Sequence, residues 1–503
     1  MNGSRRIIGL VLLSGLALGL RLAVVSALFT DPALPSAGHT SAPPNGPVAY
    51  EHGQIAENLL AGRGFSIEFL GAEGPTSQQA PFYPLLLAGV WWCLGIGTPQ
   101  AILAAQLLQC LAGTGLVLVV AWLGWSLLPE QPSVGWVAAI GAALYPTHLY
   151  MVTHLQVALW AALVLTLLLA VCVSPRWRAT RGGAILAGCL AGVLLLIEPI
   201  LALALPICAA AFWLGEVEGG MRGRFGRRGT RAAGYPLAGR VARLALMAAI
   251  ATTIVTPWTV RNWIVHGQLV PIKSTFGYAF WQGNNPVSWG TDKIPKTSAE
   301  ALRLTHDGSL AGMDRALWAA RHETLYIDDV LLKPTGYREF AGLSEPERSR
   351  LLGQRAWRFV RANPAQYARL CLRRLQYFLL FDETNPKAAN RLYRISTVVW
   401  LVLALIGLSI SRSRWRALWP TYAIFSVVVL FHSLVIVSAR FRIPVEPMTF
   451  VWAATAVAPL AVRLLRRPQI KVYRPGEHPR DPFGPGHVLK GPHYDVPIRR
   501  RAG

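Results

Sequence analysis

Apolar runs long enough to cross a bilayer alternate with short polar stretches along most of this chain. Runs near 7–28, 101–125, 133–150, 152–173, 183–197, 199–215, 244–262, 392–410, 417–438 and 443–463 lie at or near the roughly 17–25 residues that a transmembrane helix needs. Two long segments, about 29–100 and 263–391, break the series. In the first, "AYEHGQIAENLLAGRGFS" predicts a short helix from Glu51 to about Ala61. It sets Glu51, Gln54 and Asn58 on one face, with Ile55 and Leu59 as a neighbouring apolar stripe. Such a helix is expected to lie in the membrane interface, apolar face down, stopped by Gly62 and Gly64. In the second segment, Ser344 to Glu347 fit a capping box that opens an amphipathic helix through "RAWRFVRANP". "AQYARLCLRRLQYFLLF" predicts another amphipathic helix, resting on the membrane surface. The pattern predicts an all-α polytopic membrane protein of about ten transmembrane helices, with amphipathic outer-face helices and a small extracytoplasmic domain.

Composition supports this class. Of 503 residues, 53% are hydrophobic and 15% charged, and the mean hydropathy is +0.38. A net charge of +24 raises nucleic acid as a partner, but the basic residues cluster between apolar runs, as in "SPRWRATRGG", "MRGRFGRRGTRAAG" and "SRSRWRA". That arrangement is the positive-inside signature of membrane topology, and it excludes a nucleic-acid reading. The six cysteines show no metal or disulfide spacing and read as small core hydrophobes. The first apolar run follows Arg5 and Arg6 and reads as an uncleaved signal anchor.

Charge parity also settles how "PFYPLLLAGVWWCLGIG" at 81–97 is read. Counted as a span, it would place the later basic loops outside. It is therefore expected to lie along or re-enter the outer face, anchored by Tyr83, Trp91 and Trp92. Both termini, Arg176 and Arg228 are then cytoplasmic, while Glu51 and residues 263–391 are extracytoplasmic. The expected organisation is a membrane module over 1–262 with a functional first outer loop, an outer domain or cap over 263–391, and closing transmembrane helices over 392–466. A basic cytoplasmic tail over 467–503, rich in Pro, Gly and Arg, is expected to be disordered. Internal repeats of the kind that build secondary transporters are not evident.

Five ordered motifs carry a resemblance: "YEHGQIAENLLAGRGFS", "GPTSQQAPFYPLLLAG", "YPTHLYMVTHLQ", "TPWTVRNWIVHGQLVPI" followed by "FWQGNNP", and "SARFRIPVEPM". Over about residues 7–465 the chain resembles the bacterial GT-C glycosyltransferases of the family 39 group, related to protein O-mannosyltransferases and lipid A aminoarabinose transferases. The resemblance implies a GT-C-like inner-membrane enzyme of the cell envelope that takes a sugar from a polyprenyl-phosphate donor on the extracytoplasmic face. By position Glu51 matches the first-loop catalytic carboxylate, expected as general base for an acceptor hydroxyl in an inverting transfer. One carboxylate suffices there, because a lipid phosphate leaves as a stable anion and needs cations rather than an acid. The acceptor is left open as lipid, glycan or protein. Two departures stand out. Glu51 lies between Tyr50 and His52 rather than beside a second acid, and Gln156 stands where relatives have a second-loop acid. A transporter or lipid flippase, or an inactive scaffold of the same fold, is the alternative.

Arg261, Arg440 and Arg442 sit at outer ends of spans, against the positive-inside bias, and are candidates for the donor phosphate, with Lys273 beside them. Tyr50, His52, Gln54, Tyr83, His148, His154, Glu198, Asn284 and Asn285 are the further candidates for substrate contact, the asparagines equally suited to a turn. A divalent cation on His52 or His154 is open, although histidines without matched spacing more often serve structure. Arg21 and Glu446, inside or near spans, are expected to be a buried pair or packing device, with a functional role left open.

Overall fold

The structure is a computed structural model that describes residues 3–29, 49–214, 237–295, 310, 312, 314, 324–385, 388 and 390–465. Arg228 and the tail 467–503 lie outside the described residues. The chain divides into two compact units, Met1–Leu460 and Ala461–Gly503, the second described only over 461–465.

The described chain is mostly helical. It runs α1 (Gly3–Phe29), α2 (Tyr50–Leu60), α3 (Phe82–Leu94), α4 (Pro99–Leu127), α5 (Pro132–Leu144), α6 (Pro146–Met151), α7 (Ala158–Val173) and α8 (Arg181–Ile197). After these come α9 (Pro199–Leu214), α10 (Leu237–His266), α11 (Phe276–Gly283), α12 (Ile327–Leu331), α13 (Glu345–Ala362), α14 (Pro364–Leu379), α15 (Arg391–Ile410), α16 (Trp415–Leu434) and α17 (Glu446–Leu465). Helix starts follow local chemistry. Thr98 and Thr180 accept from backbone amides three residues on, and Pro99 occupies the first turn of α4. The expected capping box at α13 is present, the Ser344 amide donating to Glu347 Oε2 at 2.8 Å.

Among the described residues, six helices are long and apolar enough to cross a membrane: Ser4–Leu28, Pro99–Leu127, Leu237–His266, Arg391–Ile410, Arg412–Leu434 and Glu446–Leu464. Ile7, Leu12, Ile264 and Leu464 present apolar side chains outward, which fits lipid and not water. The chain is a multi-pass membrane protein. Other expected spans are shorter. The run 133–150 breaks before Pro146 into α5 and α6, because proline cannot continue the helix. The helix α3, with 13 residues, falls short of a span. Its expected interfacial anchors are corrected in part: Tyr83 and Trp91 are buried against α2 and α4, and only Trp92 projects outward.

Helices approach closely through small residues. A Cβ on Gly188 of α8 would lie 2.7 Å from the Met247 carbonyl of α10, and one on Gly192 would lie 2.8 Å from Ile254.

One element departs from the all-helical expectation. Ser66–Phe69 (β1) and Ala72–Pro75 (β2) form an antiparallel hairpin pairing Phe69 with Ala72. Leu70 and Gly71 turn it with φ of 51° and 78°, the two-residue loop that matches strand twist. Ile67 and Phe69 point inward and Glu68 outward, an alternation legible in "SIEF". The hairpin also changes the setting of α2. Ile55 is fully buried against Phe65 and Ile67, so protein covers the apolar stripe that was expected to face lipid.

Candidate functional site

The opening of α2 is built under strain. Ala49 and Tyr50 adopt left-handed backbone with φ of 64° and 54°, unusual for residues other than glycine, and Ala49 is fully buried. Such residues cost on the order of 1–3 kcal/mol each and persist where the surroundings hold them. Here the distortion immediately precedes Glu51, which stands exposed in the first turn.

Glu51 faces a cavity of about 720 Å³. Its walls come from α2, the Gln78–Gln79 stretch after the hairpin, the start of α7, the α8–α9 junction, residues 271–282, and the end of α16 with the turn that follows. The lining divides by charge. Glu51, Glu198 and Asp292 are its acids, and Lys273 and Arg440 its strong cations. Lys273 donates to Gln79 Oε1 at 3.3 Å, while Arg440 is exposed beside the Phe441 ring. His52 also lines the cavity, packed edge-on to Tyr83 at 5.2 Å. Burial, with Lys273 and Arg440 nearby, pushes its pKa down to about 3, so it is neutral. Gln156 forms part of the wall.

On one wall Tyr278 donates its phenolic hydrogen to Asp328, and Gln282 donates to the Tyr278 oxygen at 2.8 Å. Burial raises the Tyr278 pKa well above its usual value, with Asp328 and Glu51 adding to the rise. Burial also pushes Asp328 up to about 6, against the two hydrogen bonds it receives.

Several expected site residues lie elsewhere. Arg261 is outside the cavity lining; it donates to the Thr76 carbonyl at 2.5 Å and the Phe65 carbonyl at 2.8 Å, clasping the hairpin onto α10. Arg442 is buried, donating to Glu446 Oε1 at 2.6 Å and to the carbonyls that end α14. His148 Nε2 donates to the other Glu446 oxygen at 2.9 Å. Glu446 therefore pairs with Arg442 and His148 rather than Arg21, which instead donates to the Ala17 carbonyl within its own helix. Tyr83 donates to Gln109 at 3.2 Å. Asn284 and Asn285 build the turn after α11: Asn284 donates to two backbone carbonyls and receives the buried Arg374, and Asn285 closes on Trp281 and Val287. His154 packs on Tyr150. Tyr50, Gln54, His148 and His154 are not part of the cavity lining. Among the described residues no group of three or more His, Cys, Asp or Glu is placed to hold a metal, and His52 and His154 do not meet in the cavity.

The cavity adds groups that sequence reasoning missed. Gln78 and Gln79 lie inside a quoted motif, and His432 is an ionisable residue within an apolar run, itself a signal. Tyr278 and Asp292 carried no signal, nor did Asp328, which lies outside the lining and bonds Tyr278, since folding alone assembles them.

No protein-family model matches the chain, and no curated protein matches it. Among solved structures it is similar to the archaeal oligosaccharyltransferase AglB from Archaeoglobus fulgidus in complex with an inhibitory peptide and a dolichol-phosphate. That likeness has 14% identity and a TM-score of 0.47, over 91% of this chain and 50% of that one. A second structure of the Archaeoglobus fulgidus oligosaccharyltransferase, with Zn and sulfate, gives 13% and 0.46 over 91% and 49%. ArnT from Cupriavidus metallidurans bound to undecaprenyl phosphate gives 15% and 0.36 over 90% and 78%. The chain thus spans about half the length of the oligosaccharyltransferases it matches. At these identities and TM-scores, the chemistry of the cavity rests on its own side chains.

Proposed function

We propose that this protein is an integral membrane glycosyltransferase of the GT-C type, moving a sugar from a polyprenyl-phosphate donor to an acceptor hydroxyl. The observation that carries this reading is the meeting in one cavity of an exposed carboxylate, Glu51, with two cations, Lys273 and Arg440. Glu51 takes the proton of the acceptor hydroxyl as that oxygen attacks the anomeric carbon. The carbon–oxygen bond to phosphate breaks from the opposite side, the phosphate leaves with the electron pair, and the configuration inverts. Lys273 and Arg440 hold the departing phosphate and stabilise the charge that develops on it. Glu198, Gln156, His52 and the glutamines line the remaining space for sugar and acceptor. Charge parity supports about ten crossings in an inner membrane, both termini cytoplasmic, the cavity and an outer cap over 263–391 extracytoplasmic.

Glu51→Gln tests the base, because it keeps shape and removes basicity. Transfer of radiolabelled sugar from polyprenyl-phosphate donors to envelope extract should fall about 100- to 10,000-fold, with binding of the donor lipid retained. Wild-type turnover by folded Glu51→Gln protein would overturn the assignment. Glu57 and Glu68, outside the cavity lining, are the tolerant controls.

A further inference from the structure

His432 closes the last turn of α16 and borders the cavity, although only 4% of it is exposed. Its orientation is fixed on every side. Nδ1 lies 2.9 Å from the Ile436 carbonyl, which can only accept, so Nδ1 carries the hydrogen. The ring stacks on Phe441 at 4.5 Å and 16° and on Phe378 at 5.8 Å and 23°, with Phe431 edge-on at 5.4 Å. Among the described residues no carboxylate bonds this imidazole, and a cation, Arg440, lies 5.5 Å from the ring of its stacking partner Phe441. A buried imidazolium without a counter-ion is costly, so the ring is neutral and Nε2 presents a bare lone pair. Among the described residues no bond reaches Nε2.

We infer that His432 is a specificity-determining residue: through Nε2 it accepts a hydrogen bond from a hydroxyl of the sugar carried by the donor lipid. This rests on the glycosyltransferase reading above and adds what the site recognises. A bare lone pair accepts from O–H and repels an ionised phosphate, which offers no hydrogen. The phosphate therefore goes to Arg440 and Lys273, and the adjoining position at His432 goes to a hydroxyl. A site that presents a fixed acceptor discriminates strongly against a substrate lacking the matching donor, because its own polar atom is then left unpaired.

The test compares two lipid probes on purified protein in nanodiscs: undecaprenyl phosphate alone, and a panel of undecaprenyl-phosphate glucose, galactose, mannose and arabinose. His432→Phe keeps the aromatic stack and removes both nitrogens. It should weaken the best-bound sugar lipid tenfold or more while leaving undecaprenyl phosphate within about twofold. One monodeoxy analogue of that sugar should show the same loss on wild-type protein and no further loss on His432→Phe, the signature of a direct pair. His432→Gln, which retains an acceptor at the far end of its side chain, should fall between, and guards against a His432→Phe protein that fails to fold. Equal losses for both probes in both variants, or a sugar lipid bound as tightly by His432→Phe as by wild type, would overturn the inference and leave the glycosyltransferase reading standing. Wild-type protein that binds neither probe would overturn both.

Discussion

The cavity wall and the clasps around it use the same side-chain chemistry to opposite ends. Lys273 and Arg440 border open space, one held by a single amide oxygen and the other resting near an aromatic ring. Arg261, Arg374 and Arg442 are engaged by backbone carbonyls, an asparagine and a carboxylate. The carboxylates divide likewise. Glu51 is exposed to the cavity, whereas Glu345 is buried and receives Thr76 at 2.5 Å, the Ser77 amide at 2.7 Å and Ser274 at 2.5 Å. A guanidinium saturated by carbonyls holds loops together, and one with donors to spare can meet a ligand. The difference separates residues that build the cavity from residues proposed to act in it.

The largest expected effect falls on the clasps. Arg442→Met leaves Glu446 buried with only His148 and a long contact from Tyr145, at 3.5 Å, to answer its charge. Removing one partner of a buried pair costs about 3–5 kcal/mol, so the detergent-solubilised protein should unfold at markedly lower temperature. Replacing both, as Arg442→Met with Glu446→Leu, should recover much of that loss. A single variant as stable as wild type would show that the pair holds nothing together.

On the cavity side, Arg440→Ala should weaken undecaprenyl phosphate binding by about 1.5–3 kcal/mol with little change in thermal stability. Arg261→Ala should do the reverse, lowering stability first by releasing the hairpin. Titration of the lipid and thermal scans on the same samples separate the two. Matching profiles for the two variants would erase the distinction between wall and clasp.

The smallest net effect on the wild-type protein is in pH, where two slopes oppose each other. His52 is held at about 3 against 6.5 when unfolded, so as pH falls from 6.5 toward 3 only the unfolded chain gains a proton, and stability is lost across that window. Asp328 slopes the other way. Raised from 3.8 to about 6, it stays protonated in the fold while the unfolded chain ionises, so stability declines as pH rises between those values. His52→Gln should remove the acid-side loss and Asp328→Asn the opposing decline, in thermal scans from pH 4 to 7. Unchanged slopes would place both groups in water.

Helices and their order were legible in the chain because apolar runs and caps are local signals. The capping box at Ser344 and the helix stop after Leu60 depend on residues within a turn of each other. Glu51 could be singled out from its motif, and tertiary structure then set it on a cavity with Lys273 and Arg440. What sequence could not decide was which outer arginine was already satisfied. Arg261 meets carbonyls nearly two hundred positions away, and Arg442 meets those that end α14. Hydrogen-bond saturation depends on where backbone carbonyls end up in space, and they carry no residue-specific signal along the chain. The same holds for Tyr278 and Asp328, fifty residues apart, and for His432, whose neutral tautomer is set by one carbonyl and the rings stacked on it. Periodicity and motif fixed the elements and one carboxylate. Packing decided which polar atoms were left facing open space.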